Sequence, residues 1–263
     1  MKKLLFAASF VLALAPAIGA AQTVFDGTWK TDARKVTFPT KPTVLSFKDG
    51  MYDCKTCAYK TVVKTDGADQ KVEGNPYIDT LAVKIIDKNT VESVSKKGGK
   101  QVGWSKRVVS ADGNSMTVEY KNTSQTNGEV VTGKTTFKRV DKDPAGTNAA
   151  SGSWLPTKID SRSDSGMKVT YKSEGNTMNM SDPSGESYSA KMDGTDAPKK
   201  GDPGVTTVAV KMVGKNVLEE VEKHDGKVVG MSKTTVDASG KTAKVEWESK
   251  LMGTSGNYVM VKQ

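Results

Sequence analysis

Met116-Thr117-Val118-Glu119-Tyr120-Lys121 alternates apolar and polar side chains without a break, and Lys244-Val245-Glu246-Trp247-Glu248-Ser249 does so again near the far end of the chain. A period of two puts Met116, Val118 and Tyr120 on one face and Thr117, Glu119 and Lys121 on the other, the pattern of a strand with one dry and one wet side. Turn dipeptides punctuate the regions around these strands: Asp49-Gly50, Asp66-Gly67, Gly98-Gly99, Asp112-Gly113, Asp193-Gly194, Asp225-Gly226 and Ser239-Gly240. Such pairs favour tight hairpins because both central residues tolerate positive φ. The chain reads as antiparallel hairpins in sequence order.

Outward from these strands the chain repeats itself. Residues 80–120 align with 207–247 at a constant shift of 127: Thr80-Leu81-Ala82-Val83-Lys84 on Thr207-Val208-Ala209-Val210-Lys211, and Gly99-Lys100-Gln101-Val102-Gly103-Trp104-Ser105-Lys106 on Gly226-Lys227-Val228-Val229-Gly230-Met231-Ser232-Lys233. Roughly half of these positions are identical without a gap, which marks an internal duplication. Gly27-Thr28-Trp29 and Gly152-Ser153-Trp154 open the two copies. The expected division is 1–21 signal peptide, 22–140 first barrel, 141–150 linker and 151–263 second barrel. With six to eight strands expected in each copy, an open sheet would leave bare edges and an apolar face, so closure into a barrel is favoured over a sandwich. The expected fold class is all-β, two tandem antiparallel up-and-down barrels.

Residues Met1–Ala21 place Lys2 and Lys3 before the apolar run Leu4–Ala15 and end in small residues, the order of a secretory signal. That run is shorter than the roughly 20 residues of a bilayer span, so no membrane span is expected and the mature chain belongs in the periplasm or outside the cell. The formal charge is +9, and the 39 basic residues include only four arginines, spread along the chain rather than clustered with aromatics. This argues against a specific nucleic-acid site and for wet sheet faces, with an acidic envelope component as a possible electrostatic partner. A single histidine excludes mechanisms that need two imidazoles.

The opening Phe25-Asp26-Gly27-Thr28-Trp29-Lys30 resembles the Gly-x-Trp start of lipocalins and fatty-acid-binding proteins, the calycin group, and Thr135-Thr136-Phe137-Lys138-Arg139 is similar to their closing strand. The resemblance implies that Trp29 and Trp154 pack across the closed base of a barrel.

Several residues could carry chemistry. Cys54-Lys55-Thr56-Cys57 reads as a disulfide bracing a hairpin tip, with redox and metal roles as rivals. His224 falls in a hairpin turn. Met178-x-Met180 places two thioethers on one face, either as core filling or as a soft-metal pair. With Asp225-Gly226 as a two-residue turn, Glu219 faces Ser232 and Glu220 faces Met231; the same register pairs Val91 with Lys106, Ser93 with Trp104 and Ser95 with Val102. Trp104 and Met231 then point inward and Glu92 and Glu219 outward, and a one-residue bulge reverses the assignment. Trp104, Tyr120, Met231 and Trp247 are the expected interior ligand contacts. The leading expectation is a non-enzymatic exported protein, with no cofactor, that holds a small apolar molecule. Its rivals are a structural or interaction protein of the envelope with filled barrels, and an enzyme using Asp, Glu, Lys or Tyr.

Overall fold

The computed structural model describes residues 22–124, 128–143 and 148–263; the expected signal segment and positions 144–147 of the expected linker lie outside them. In the first copy the strands are β1 (Gly27–Thr37), β2 (Thr43–Lys48), β3 (Met51–Cys54), β4 (Thr61–Lys64), β5 (Gln70–Lys71), β6 (Thr80–Ile85), β7 (Thr90–Lys97), β8 (Lys100–Val109), β9 (Ser115–Asn122) and β10 (Val131–Lys142). The second copy repeats them as β11 (Gly152–Arg162), β12 (Lys168–Glu174), β13 (Thr177–Ser181), β14 (Ser187–Lys191), β15 (Asp193–Lys200), β16 (Thr207–Met212), β17 (Val217–His224), β18 (Lys227–Val236), β19 (Thr242–Ser249) and β20 (Thr254–Lys262). Ten strands per copy exceed the expected six to eight, because β3, β4 and β5 are only four, four and two residues long and show no readable period. The hairpins turn as expected: Asp49, Gly50, Asp225 and Gly226 all have positive φ.

Two antiparallel barrels result, and they do not divide where the repeats divide. One, barrel 2, is closed and runs β1-β12-β13-β14-β15-β16-β17-β18-β19-β20. The other, barrel 1, has the order β4-β3-β2-β11-β10-β9-β8-β7-β6-β5 and is nearly closed, its short end strands β4 and β5 lying side by side. Each copy has therefore given its opening strand to the other. The expected assignment of 22–140 and 151–263 to separate tandem barrels is corrected at β1 and β11, and of the expected linker Asp141 and Lys142 belong to β10. The physical reason is that both strands fit either barrel. Gly27 and Trp29 of β1 pair with Tyr171 and Val169 of β12, and Gly152 and Trp154 of β11 pair with Leu45 and Thr43 of β2, an identical register.

The connections decide between the two solutions. Phe38-Pro39-Thr40-Lys41-Pro42 joins β1 to β2, and two prolines in five residues keep this segment extended rather than folded back as a hairpin. Its counterpart after β11 holds one turn of 3-10 helix, Asp164–Met167. Exchange of equivalent elements across such hinges preserves every core contact while changing only which copy supplies it.

Each barrel has its own core. Phe25, Trp29, Met178, Val210, Leu218 and Met260 fill the base of barrel 2, and Leu45, Phe47, Val83, Val91, Met116 and Trp154 that of barrel 1. Trp29 and Trp154 are 1% and 0% exposed. Each indole N–H donates to the carbonyl four residues earlier, Phe25 at 2.7 Å and Ala150 at 2.9 Å, so a large apolar ring is buried without an orphaned donor. A cation lies over each ring, Lys262 at 4.9 Å from Trp29 and Arg139 at 4.1 Å from Trp154. The glycine two residues before each tryptophan has φ near +120°, a conformation that a side chain would strain.

Candidate functional site

Above the base, polar groups enter the otherwise aromatic interior of barrel 2. Two rungs of paired residues form it. One crosses four strands as Tyr171, Met180, Tyr188 and Lys199; the other runs Glu220, Ser232, Trp247 and Gly256. Directly paired residues share a face of the sheet, and Leu218, fully buried two residues before Glu220, marks that face as the inner one. Tyr258 of β20 and Glu222 of β17 complete the lining. Of these residues all but Lys199 and Gly256 line a cavity of about 500 Å³. Val229, Met231, Leu251 and Met252 lie at its rim, with Tyr59 and Tyr77 reaching across from the first copy.

The hydrogen bonds within the cavity divide its acids. One Glu220 oxygen accepts a short bond from the Tyr188 hydroxyl, and the other accepts from Ser232 Oγ at 3.0 Å. Glu222 is paired with the Lys199 ammonium at 2.7 Å, which also meets Glu186 at 2.9 Å. The Lys199 side chain is only 6% exposed. Burial raises the Glu220 carboxyl above the ordinary glutamate range, although the Tyr188 and Ser232 hydroxyls pull it the other way. Glu186 is raised by burial too, opposed by Lys199. Burial works against the Lys199 charge, but Glu222 and Glu186 outweigh it and hold the ammonium above the usual lysine range. Tyr171, Tyr188 and Tyr258 are all pushed up by burial and by Glu220, Tyr258 to about 12. At neutral pH all three are hydroxyl donors.

Barrel 1 builds the same rungs from different residues. Leu45, Cys54 and Thr61 stand where Tyr171, Met180 and Tyr188 stand in barrel 2, and Ser93, Ser105, Tyr120 and Gly133 replace Glu220, Ser232, Trp247 and Gly256. Arg107 also faces in, donating to Ser93 Oγ at 3.3 Å and Ser105 Oγ at 3.2 Å. Its cavity is smaller, about 380 Å³.

Of the expected ligand contacts, Tyr120 and Trp247 face inward. Each ring lies across a glycine of the next strand: a methyl group on Gly133 would meet Tyr120 at 2.4 Å, and one on Gly256 would meet Trp247 at 2.9 Å. Trp104 and Met231 stand off the inner rungs, paired with Val94 and Val221; Trp104 still borders the cavity of barrel 1, and Met231, 41% exposed, stands at the rim of that of barrel 2. The cause is a bulge in each copy, after Ser95 and after Glu222, which shifts the register by one. The observed pairs are Glu220 with Ser232, Glu219 with Lys233, Ser93 with Ser105 and Val91 with Arg107. Glu92 and Glu219 remain on the outer face, Glu92 3.7 Å from Lys106.

Cys54 and Cys57 form a disulfide at the tip of the β3–β4 hairpin, directly before Ala58 and Tyr59 at the mouth of barrel 2. His224 ends β17 beside its turn. Met178 is buried in the core of barrel 2 and Met180 lines its cavity. Among the described residues no group of three or more His, Cys, Asp or Glu is placed to hold a metal ion, and no helix is long and apolar enough to cross a membrane. Glu220, Glu222, Tyr188 and Lys199 were not singled out by the sequence. The available signal was the repeat itself, which sets Glu220 and Glu222 against Ser93 and Ser95.

No family model matches the chain, and no curated protein matches it in sequence.

Proposed function

We propose that the protein is a non-catalytic, exported binding protein of calycin-like build that holds a small molecule inside barrel 2. The observation that carries this reading is the cavity itself: about 500 Å³, within the range of pockets that enclose small ligands, walled by aromatic and methionine side chains with a few convergent polar groups. The expected apolar ligand becomes one with a polar head, since Glu220 and three tyrosine hydroxyls line the space. The Met1–Ala21 pattern and the Cys54–Cys57 disulfide support export to an oxidising compartment.

Native mass spectrometry of the protein purified from its own host tests this. A retained organic mass, released on denaturation, is the expected result. Repeated preparations without one, together with no thermal shift from a small-molecule panel, overturn the reading.

A second reading, an acid–base enzyme, draws on the proximity of Glu220 and Glu222 and on the raised Glu220 carboxyl. Turnover of the released molecule by wild type but not by Glu220→Gln, with binding retained in the variant, would favour it.

A further inference from the structure

Glu220 points its carboxyl group into the cavity, and among the described residues it has no ion pair. Both of its oxygens meet hydroxyl hydrogens, from Tyr188 and Ser232, while the one basic side chain nearby, Lys199, is engaged by Glu222 and Glu186. A carboxylate taken out of water is normally neutralised by a cation, because hydroxyl dipoles replace only part of its hydration. Beside it Tyr171 lines the same cavity, and its hydroxyl makes no hydrogen bond with the described residues and is left open to an occupant of that space. Two adjacent groups in one cavity therefore each lack something, one a positive charge and the other a hydrogen-bonding atom.

We infer that the occupant of barrel 2 is a small organic cation, a protonated amine whose ammonium group is held by the Glu220 carboxylate and the Tyr171 hydroxyl, with its apolar body against the Trp247 ring. This rests on the reading of barrel 2 as a ligand cavity. An ammonium group donates to both oxygens and cannot accept, which suits an acceptor carboxylate and the lone pairs of a tyrosine hydroxyl. Aromatic walls add the attraction of a ring face for a cation. Charge agrees: Asp202, Glu220 and Glu222 line the cavity and Glu186 flanks it, whereas none of its lining residues is a lysine or arginine, in a chain whose overall formal charge is +9. Barrel 1 supplies an internal control, since Ser93 and Leu45 occupy the positions of Glu220 and Tyr171.

Three probes of one shape separate the possibilities: phenylethylammonium, neutral 2-phenylethanol and anionic 3-phenylpropanoate, titrated calorimetrically into the full protein. The ammonium compound is expected to bind at least about tenfold more tightly than the alcohol, and the anion more weakly than either. Glu220→Gln should remove most of that preference while leaving affinity for the alcohol in place, and Tyr171→Phe should weaken the ammonium compound severalfold. Equal binding of alcohol and ammonium compound by wild type, or a preference untouched in both variants, overturns the cation assignment and leaves the cavity reading standing. Failure of all three probes, with a retained host molecule that is neutral or anionic, also overturns the assignment alone. Failure of all three with no retained molecule overturns the cavity reading as well.

Discussion

Barrel 1 and barrel 2 agree wherever the backbone makes a demand and differ wherever it does not. Both open on a glycine at φ near +120°, bury a tryptophan two residues later, cover it with a cation and lay an inward aromatic ring across a glycine of the next strand. Between these points the inner positions diverge in charge: Ser93 and Arg107 in one, Glu220 and Thr234 in the other. A duplicated barrel keeps its closure because closure tolerates few side chains. Its interior is free to change because a cavity wall need only be filled or hydrogen-bonded.

The strongest way to break this comparison is through the tryptophans. Trp29→Ala and Trp154→Ala should each cost about 3–5 kcal/mol, and each should loosen the barrel of the opposite copy. Hydrogen exchange is the measurement: Trp29→Ala exposes amides in β12–β20, and Trp154→Ala those in β2–β10. Protection lost from β2–β10 on removing Trp29 would return β1 to its own copy.

Next come the opening glycines. A methyl group at Gly152 would meet the Asp141 carbonyl oxygen at 2.4 Å and Arg139 at 2.8 Å, whereas at Gly27 the nearest atom is a Lys262 methylene at 3.6 Å. Both substitutions to alanine carry backbone strain of about 1–3 kcal/mol, and Gly152→Ala should lower the urea midpoint further. Equal losses would mean that barrel 1 relaxes at its base.

The interiors differ in how they respond to acid. Burial holds the folded-state pKa of Glu220 above its unfolded value, so its contribution favours the fold below the ordinary glutamate range and is lost as pH rises through the raised value. Glu220→Gln removes that dependence and should gain on wild type over the interval from the ordinary glutamate range to beyond the raised value in denaturant titrations. Ser93→Ala, at the matching site of barrel 1, should change stability equally at both ends of that interval.

The smallest effect is expected between the barrels. Tyr77 of the first copy donates its hydroxyl to Asp202 of the second at 2.9 Å, and its ring packs over Gly204. Tyr77→Phe should cost no more than about 1 kcal/mol, seen as faster exchange of the Gly204 amide. A global loss of stability would show the two mouths to be one cooperative unit.

The fold was legible in the sequence through the alternation at Met116–Lys121 and Lys244–Ser249 and through the gap-free repeat, because period and duplication are local or pairwise signals. Strand exchange was not, since β1 and β11 carry the same pairing information and nothing within either strand says which copy it closes. Pro39 and Pro42 were the one local trace of it. The site was half legible. Tyr120 and Trp247 sit where alternation alone places them, but the pairing around Trp104 and Met231 depended on bulges at Ser95 and Glu222, whose trace in residue type is the glycine opposite each, Gly103 and Gly230. In β17, acids at Glu219, Glu220 and Glu222 occupy both faces, so alternation could not say which of them is inside.

The route of β1 sets an order of assembly. Barrel 1 is one uninterrupted stretch, from β2 to β11, and can shut as soon as that stretch has been synthesised. β1 precedes it in the chain, yet its neighbours are β12 and β20, the latter at the far end. The earliest described strand must wait for the last, and a polypeptide stopped between Glu220 and Thr254 contains both members of the Tyr171–Glu220 pair but lacks the strand that closes the wall around it.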